Sequence, residues 1–170
     1  MNRKTPVASP EVLRAISTLQ RLSDLFVERR EQVARAAGLT VAQWQVLDEI
    51  GGEHFMPSLF ARERATSPPA VSRIIRQLLD RGLVRVAVNA ADGRQRDYAL
   101  TAEGRRALDR VQAERERAIR AVWDGLPSAE LDEFCRFGAR LVARLESHAH
   151  DLRIRSGRHT NGKKSVRESV

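Results

Sequence analysis

The chain has 170 residues, 42% hydrophobic and 31% charged, with a formal net charge of +8 and a pI near 11.0. These values fit one globular domain of ordinary size and favour an anionic partner. We expect a cytoplasmic protein, since no apolar run approaches the roughly 20 residues that span a bilayer, the N-terminus lacks a signal-peptide core, and the lone Cys135 cannot form an internal disulfide.

The positive charge is concentrated in two segments. Residues 57–106 hold ten arginines against five acidic residues, and residues 152–170 hold six basic residues against one acidic residue, so each segment carries a net charge of +5. The rest of the chain then carries a net charge of −2. An anionic partner is therefore expected at these two segments.

The first ten residues are polar, include two prolines, and are predicted to be a disordered lead. A long amphipathic helix is predicted from Glu11 to about Ala37, with Gly38 as its C-terminal stop. Its apolar residues recur at steps of three or four: Val12, Ile16, Leu19, Leu22, Phe26 and Val33.

Two shorter helices are predicted next. Thr40 and Gln43 have the spacing of a capping box, and an apolar face follows until Gly51 and Gly52 end the helix. Pro57 suits the first turn of a third helix. The residues expected to face inward on these two helices are Val41, Trp44, Leu47, Ile50, Leu59, Phe60 and Ala65.

The start of a fourth helix is well specified. Ser67 is a typical N-cap, and Pro68 and Pro69 have no N–H group to leave unpaired in a first turn. One face is apolar, the other is polar and basic, and the helix is predicted to end at Arg81–Gly82. The apolar face holds Val71, Ile74, Ile75, Leu78 and Leu79, and the other face holds Ser72, Arg73, Arg76 and Gln77.

A β-hairpin is predicted after the fourth helix. Leu83–Val88 is rich in valine, Asp92–Gly93 has the chemistry of a tight bend, and Gln95–Leu100 can return as the second strand. Two short helices, a turn and a hairpin with arginines near its tip form a winged helix-turn-helix, which we place at residues 38–101. This order of elements is typical of reading duplex DNA.

Two further helices complete the predicted fold. Thr101 caps a helix from Ala102 to about Asp124, and Ser128 is a plausible N-cap for a last helix that ends near His148. Residues 149–170 are predicted to be a disordered basic tail. The last helix carries the apolar stripe Leu131, Phe134, Cys135, Gly138, Leu141, Val142 and Leu145.

Three stretches of sequence resemble the MarR-type transcriptional regulators: LTVAQWQVL at 39–47, SPPAVSRIIRQLLDRGLV at 67–84 and DGRQRDYALTAEGRRAL at 92–108. The resemblance covers roughly residues 11–148. It implies a mainly α fold with a small β-hairpin wing, and dimerisation helices at 11–37 and 102–148. It also implies a homodimeric repressor or activator that holds a palindromic DNA operator and responds to a small anionic or aromatic effector.

Part of that expectation has separate support from the residues. The apolar stripes of the first and last two helices exceed what the core of one winged domain needs, which suggests a self-complementary interface. Two-fold symmetry would match a palindromic site.

The fourth helix is the predicted reader of the major groove. Ser67 and Ser72 can bond phosphate or base edges, and Pro69 can touch a thymine methyl group. Arg73 and Arg76 can reach guanine or phosphate, with phosphate favoured for Arg76. The alternative is a solvated basic helix face without a ligand.

The wing is the predicted reader of the minor groove. By resemblance Arg94 is the minor-groove arginine, flanked by Gln95 and Arg96, and Asp92 could orient it through a charge-assisted pair. The alternative is an exposed turn with incidental charges.

The effector residues are open between two interpretations. Trp44 could stack on an aromatic ligand, with His54 holding its carboxylate, or Trp44 could be a core anchor and His54 a loop residue. Cys135 could sense oxidants, as in some relatives, but its place on an apolar stripe favours burial as a small hydrophobic residue.

The sequence contains no recognisable catalytic or metal-binding motif. There is no phosphate-binding glycine loop, GxSxG or HExxH motif, so we expect no enzyme and no cofactor. His148 and His150 are two residues apart and would point in different directions on a helix, so no metal site is expected. The remaining alternative is an architectural DNA binder that works without an effector.

Overall fold

The computed structural model describes residues 9–52, 55–88 and 96–162. Within these ranges the chain forms six helices and one two-stranded sheet. It divides into two compact units, one up to Ala121 and one from Val122 onward. In chain order the elements are α1 (Pro10–Ala36), α2 (Val41–Gly51), α3 (Pro57–Glu63), α4 (Pro68–Asp80), β1 (Val84–Val88), β2 (Arg96–Leu100), α5 (Ala102–Trp123) and α6 (Ser128–Gly162).

The mainly α fold with a winged helix-turn-helix is confirmed, and the predicted helix starts are largely correct. The capping box is present: the Gln43 N–H donates to Thr40 Oγ1 at 3.1 Å, and the Thr40 N–H donates to Gln43 Oε1 at 3.1 Å. Gly38 follows α1 with a φ of +72°, a left-handed conformation that suits glycine at a helix end.

The predicted disordered lead is wrong at its last two positions. The Ser9 hydroxyl accepts a bond from the Val12 N–H at 3.5 Å, and Pro10 is the first residue of α1. Serine at the N-cap and proline in the first turn are both favourable there, and the polar composition of the lead concealed this local signal. Residues 1–8 lie outside the described residues.

The core lies in the first unit, between α2, α3, α4 and β1. Val46, Leu47, Val71 and Leu78 are fully buried. The rest of the core cluster comes from the C-terminal end of α1, from the other elements of the unit and from the first three turns of α5: Val33, Ala37, Leu39, Ile50, Phe60, Ala61, Ile75, Leu83, Val84, Ala107 and Val111. The N-terminal turns of α1 contribute no member to this cluster.

The turn between α3 and α4 differs from the prediction at one residue. Ala65 was expected to face inward, but it is exposed and has a φ of +48°. The Thr66 N–H bonds to the Ala61 carbonyl at 2.9 Å, which closes the end of α3 and turns the chain outward at Ala65. Phe60 and Ala61 carry the buried contacts of α3.

The sheet pairs β1 and β2 antiparallel, with Val84 opposite Leu100 and Val88 opposite Arg96. At its base the Thr101 hydroxyl donates to the Gly82 carbonyl at 2.7 Å and accepts from the Gly104 N–H at 3.0 Å. The predicted capping role of Thr101 is therefore confirmed. The same side chain joins the start of α5 to the start of the hairpin.

The second unit departs most from the sequence expectations. Ser128 is the first residue of α6 rather than its cap, because the Pro127 carbonyl accepts the N–H groups of Glu130 and Leu131. The predicted end near His148 is wrong, and residues 149–162 continue the helix instead of forming a disordered tail. These residues include no proline, and Leu, Ala and Arg among them favour helix despite the polar composition. Residues 163–170 lie outside the described residues.

The apolar stripe of α6 is largely solvent-exposed. Cys135, expected to be buried, is exposed, as are Phe134 at 50% and Leu145 at 61% of their surface. A single helix within this unit offers these side chains little to pack against. No helix in the described part of the chain is long and apolar enough to cross a membrane.

The contact between α5 and the start of the hairpin gives a test of the fold. A Cβ at Gly104 would lie 2.0 Å from the Leu83 carbonyl oxygen, so Gly104→Ala must displace backbone. We expect the free energy of unfolding in urea to fall by about 2–3 kcal/mol.

The matched control is Gly138→Ala on α6, where a Cβ meets nothing within 4 Å. Its stability should stay equal or rise by up to about 1 kcal/mol, because alanine favours helix over glycine. Both measurements use one protein concentration. Equal stability of the two variants would contradict the close approach at Gly104.

Candidate nucleic-acid interface

The surface of α4 divides into two faces of opposite character. Val71, Ile75 and Leu78 are buried, and Ile74 and Leu79 pack against the same core. Every predicted DNA contact on this helix is exposed: Pro69, Ser72, Arg73 and Arg76. These four residues follow the spacing i, i+3, i+4, i+7 and therefore share one side of the helix.

The N-terminus of α4 is closed as predicted. The Ser67 hydroxyl oxygen accepts a bond from the Ala70 N–H at 3.3 Å, with Pro68 and Pro69 in the first turn. The hydroxyl proton is not used by this bond, so Ser67 can still donate to a phosphate oxygen. A helix N-terminus also carries a partial positive charge, which adds to the attraction of an anion there.

The hairpin is braced against α3 by aromatic rings. Phe55 lies between the other two rings, with its centroid 5.9 Å from that of Phe60 and 5.8 Å from that of Tyr98 on β2, both edge to face. Edge-to-face pairs at such distances are favourable. Neither Phe55 nor Tyr98 could be predicted from the sequence, because their contact joins residues 43 positions apart and leaves no periodic signal.

The predicted residues of the wing lie mostly outside the described residues. Residues 89–95, which join β1 to β2, include Asp92, Arg94 and Gln95 and are not described. Arg96 is the first residue of β2 and pairs with Val88 in the ladder. The described strands therefore support a hairpin, and the contacts of its connecting residues stay predictions.

The arginines near the start of α5 differ in how they are engaged. Arg106 and Arg110 bond the Glu103 carboxylate at 3.4 and 3.2 Å, and Arg105 donates to the Leu100 carbonyl at 3.1 Å. Hydrogen bonds from Arg110 and Arg106 lower the pKa of the Glu103 carboxyl below its ordinary value. Two basic residues of the segment 57–106, Arg105 and Arg106, are therefore already engaged within the chain, whereas Arg73 and Arg76 project from the exposed face of α4.

The predicted effector residues are not brought together in the described structure. Trp44 lies on α2, is partly buried and packs against the core cluster. His54 lies outside the described residues. This packing favours the interpretation of Trp44 as a core anchor. The side chain is not fully buried, so part of its surface remains accessible.

Possible ligands for a metal ion are scattered. In the described ranges no three His, Cys, Asp or Glu side chains come close enough together to hold one.

Comparison with known proteins identifies the type of module. The model of the MarR family matches residues 37–95, from the residue after α1 to the residue before β2. The winged helix-turn-helix of this chain is of the MarR type. The family match supports a DNA-binding transcription regulator. No curated protein matches the chain in sequence.

Solved structures share the fold of this chain at low sequence identity. A MarR family transcription regulator is 18% identical, with a TM-score of 0.71 over 82% of this chain and 93% of that chain. A mutant of S. aureus MepR bound to an oligodeoxyribonucleotide is 16% identical, with a TM-score of 0.58 over 77% and 97%. CouR from Rhodococcus jostii bound to p-coumaroyl-CoA is 23% identical, with a TM-score of 0.57 over 74% and 89%.

Proposed function

We propose that this protein is a homodimeric transcriptional repressor that binds a palindromic operator and is released by a small aromatic or anionic effector. The observation that carries the proposal is the amphipathic character of α4. Its apolar face is buried in the core, and its other face presents two arginines and a serine to solvent beside a capped N-terminus. That combination suits insertion into a major groove.

The residues of α4 have distinct proposed roles. Arg73 reads guanine through its two-pronged guanidinium, and Arg76, one turn further from the N-terminus, neutralises a phosphate. Ser67 and Ser72 donate to phosphate or base edges, and Pro69 packs on a thymine methyl group. The DNA-bound MepR neighbour supports this use of the fold.

The wing reads the minor groove in this proposal. Arg94 enters the groove, Gln95 and Arg96 contact the flanking backbone, and Asp92 orients the Arg94 guanidinium. The support is the antiparallel register of β1 and β2, in which Val88 at the end of β1 lies opposite Arg96 at the start of β2. A narrow minor groove has a strongly negative potential that attracts an arginine.

Dimerisation is proposed from the exposed apolar residues outside the core. On α1, Val12, Ile16 and Phe26 expose 48%, 46% and 51% of their surface, and they recur at helical spacing on one side of the helix. An exposed apolar stripe of this length is costly in water and is typical of an interface. Exposed apolar residues also occur on α5 and α6: Ile119, Val122, Phe134, Phe137, Val142, Leu145, Leu152 and Ile154.

Effector binding is proposed from a solved neighbour and from one side chain of α2. It rests on the aromatic acyl thioester bound by the CouR neighbour and on the partly accessible indole of Trp44. In this proposal Trp44 stacks on an aromatic ring and His54 bonds an anionic group of the effector. Ligand binding would favour a conformation that holds DNA less tightly, which releases the operator.

The DNA-binding roles can be tested by measuring affinity for a selected operator and for random duplex at several salt concentrations. We expect Arg73→Ala to cost about 1–3 kcal/mol on the operator and to relax base preference. Arg76→Ala should weaken both duplexes similarly and reduce the salt slope by about 1. Arg94→Ala should weaken operator binding by up to about 3 kcal/mol without unfolding the protein.

The control for these variants is Arg115→Ala, an exposed arginine on α5 outside the proposed interface. Unchanged operator affinity of Arg94→Ala would remove the wing from the proposal. Equal affinity of the wild type for operator and random duplex would instead indicate an architectural DNA binder.

The dimer can be tested by placing a charge on the apolar side of α1. We expect Ile16→Glu to shift the protein from dimer to monomer in analytical ultracentrifugation, because a carboxylate in an apolar interface loses its hydration. The control is Ser17→Glu, which puts the same charge about one hundred degrees around the helix. A monomeric wild type, or a dimer with Ile16→Glu as strong as that of the wild type, would contradict the interface.

The effector can be tested by a thermal-shift screen with salicylate, p-coumarate and their coenzyme A thioesters. A ligand that raises the melting temperature should also weaken operator binding, by about 5- to 150-fold if the coupling is of ordinary size. Trp44→Phe should reduce the affinity for that ligand, whereas Trp123→Phe should not. A panel that leaves operator binding unchanged would favour a regulator without an effector of this class.

A further inference from the structure

A group of three polar side chains joins the start of α2 to the end of α4. We call Gln43, Gln77 and Arg81 the Gln43 clamp. The Arg81 guanidinium donates to Gln43 Oε1 at 3.0 Å through Nη1 and to the Gly38 carbonyl at 2.8 Å through Nη2. The Gln43 amide nitrogen donates to Gln77 Oε1 at 3.1 Å.

The position of Gln43 makes this arrangement specific. Its side chain is 8% exposed in a core that is otherwise apolar, and its oxygen accepts from both the Thr40 N–H and Arg81. With two donors on one side and the Gln77 oxygen on the other, only one orientation of the amide satisfies every partner. Among the described residues no buried side-chain polar atom lacks a partner.

The clamp connects helices that have different proposed tasks. Gly38 lies two residues after the end of α1, and Gln43 lies in the first turn of α2. Gln77 lies in the last turn of α4, and Arg81 is its C-cap. All of these residues belong to the first compact unit. The Arg81 guanidinium therefore links the C-terminal end of α4 to the turn between α1, the proposed dimerisation helix, and α2.

Hydrogen bonds constrain this contact differently from apolar packing. The buried face of α4 is held by Val71, Ile75 and Leu78, whose packing tolerates small rotations and shifts better than hydrogen bonds do. Bonds to two fixed acceptors at 2.8 and 3.0 Å weaken steeply when the donor moves or turns. The clamp can therefore fix the rotation and the tilt of α4 relative to α1 and α2.

We propose that Gln43, Gln77 and Arg81 are positioning residues that set the half-site spacing accepted by the dimer. The inference rests on the proposed function, because spacing has meaning only for a dimer on a two-part operator. Adding one base pair between half-sites moves the second half-site by about 3.4 Å along the axis and by about one tenth of a turn around it. If the clamp holds α4 rigidly to α1, α4 cannot follow the displaced half-site. If the clamp is broken, α4 can move and follow part of that displacement.

The experiment uses the full-length protein and an operator selected from a random duplex library by the wild type. Affinities are measured for that operator, for versions with one base pair added or removed between the half-sites, and for random duplex. The quantity of interest is the ratio of affinities between the selected and the altered spacing. A purely structural role would lower stability or all affinities together and would leave this ratio unchanged.

Two variants loosen the clamp from its two ends. Gln43→Leu keeps approximate size but removes both amide groups, and Arg81→Lys keeps the charge but cannot reach Gly38 and Gln43 with a planar fork. For both we expect the spacing ratio to fall at least about fivefold, with affinity for random duplex within about twofold, because mutations along a coupled contact change coupling by roughly these factors. Arg81 is exposed, so its variant tests the clamp even if Gln43→Leu does not fold.

A conservative variant and a control complete the design. Gln43→Glu should restore the spacing ratio, because its carboxylate still accepts from Thr40 and Arg81 and the Gln77 amide can turn to donate to it. Arg115→Lys on α5 should leave the ratio unchanged. A wild type that selects no sequence would contradict the proposed function, whereas a selective wild type whose spacing ratio is kept in both clamp variants would overturn this inference alone.

Discussion

The burial of one side of α4 is the constraint on which the rest of the candidate site depends. Val71 and Leu78 are fully buried and Ile75 is 4% exposed, so the core determines which side of this helix faces away from solvent. Because an α-helix has 3.6 residues per turn, the opposite side can then hold only a certain set of side chains. Ser72, Arg73 and Arg76 point to solvent for this reason, and their chemistry becomes available to an external partner.

A second constraint acts at the Leu83 carbonyl, where hairpin and α5 meet. This oxygen accepts the Thr101 N–H at 3.1 Å and lies where a side chain at position 104 would have to fit. Only a glycine allows α5 to begin so close to the hairpin. The positions of β1 and β2 are thus set by backbone contacts at the base of the hairpin and by the ring of Phe55 against Tyr98.

Apolar side chains occur both in the core of the first unit and on exposed surfaces of the long helices α1 and α6. The core accepts α1 only from Val33 onward and α5 only through its first turns, so Ile16 and Phe26 remain largely exposed. On α6 even Cys135, a residue type that is usually buried, lies on the surface. The excess of apolar surface on α1 and on α6 is the physical basis for proposing a dimer, and the excess on α6 explains why the burial of Cys135 was wrongly expected.

The sequence by itself determined the features that depend on residues three or four positions apart. Helix starts at Thr40, Ser67 and Thr101 could be predicted because a cap and its partner lie within one turn, and the two faces of α4 followed from helical periodicity. The predicted end of α6 near His148 was wrong because it relied on polar composition. Polar residues do not stop a helix where no proline or cap ends it. Only the tertiary structure decided the contacts between distant residues, such as Arg81 with Gln43 at a separation of 38 positions and Phe55 with Tyr98. Such contacts arise from the packing of helices and strands in three dimensions, which leaves no period or spacing in the chain.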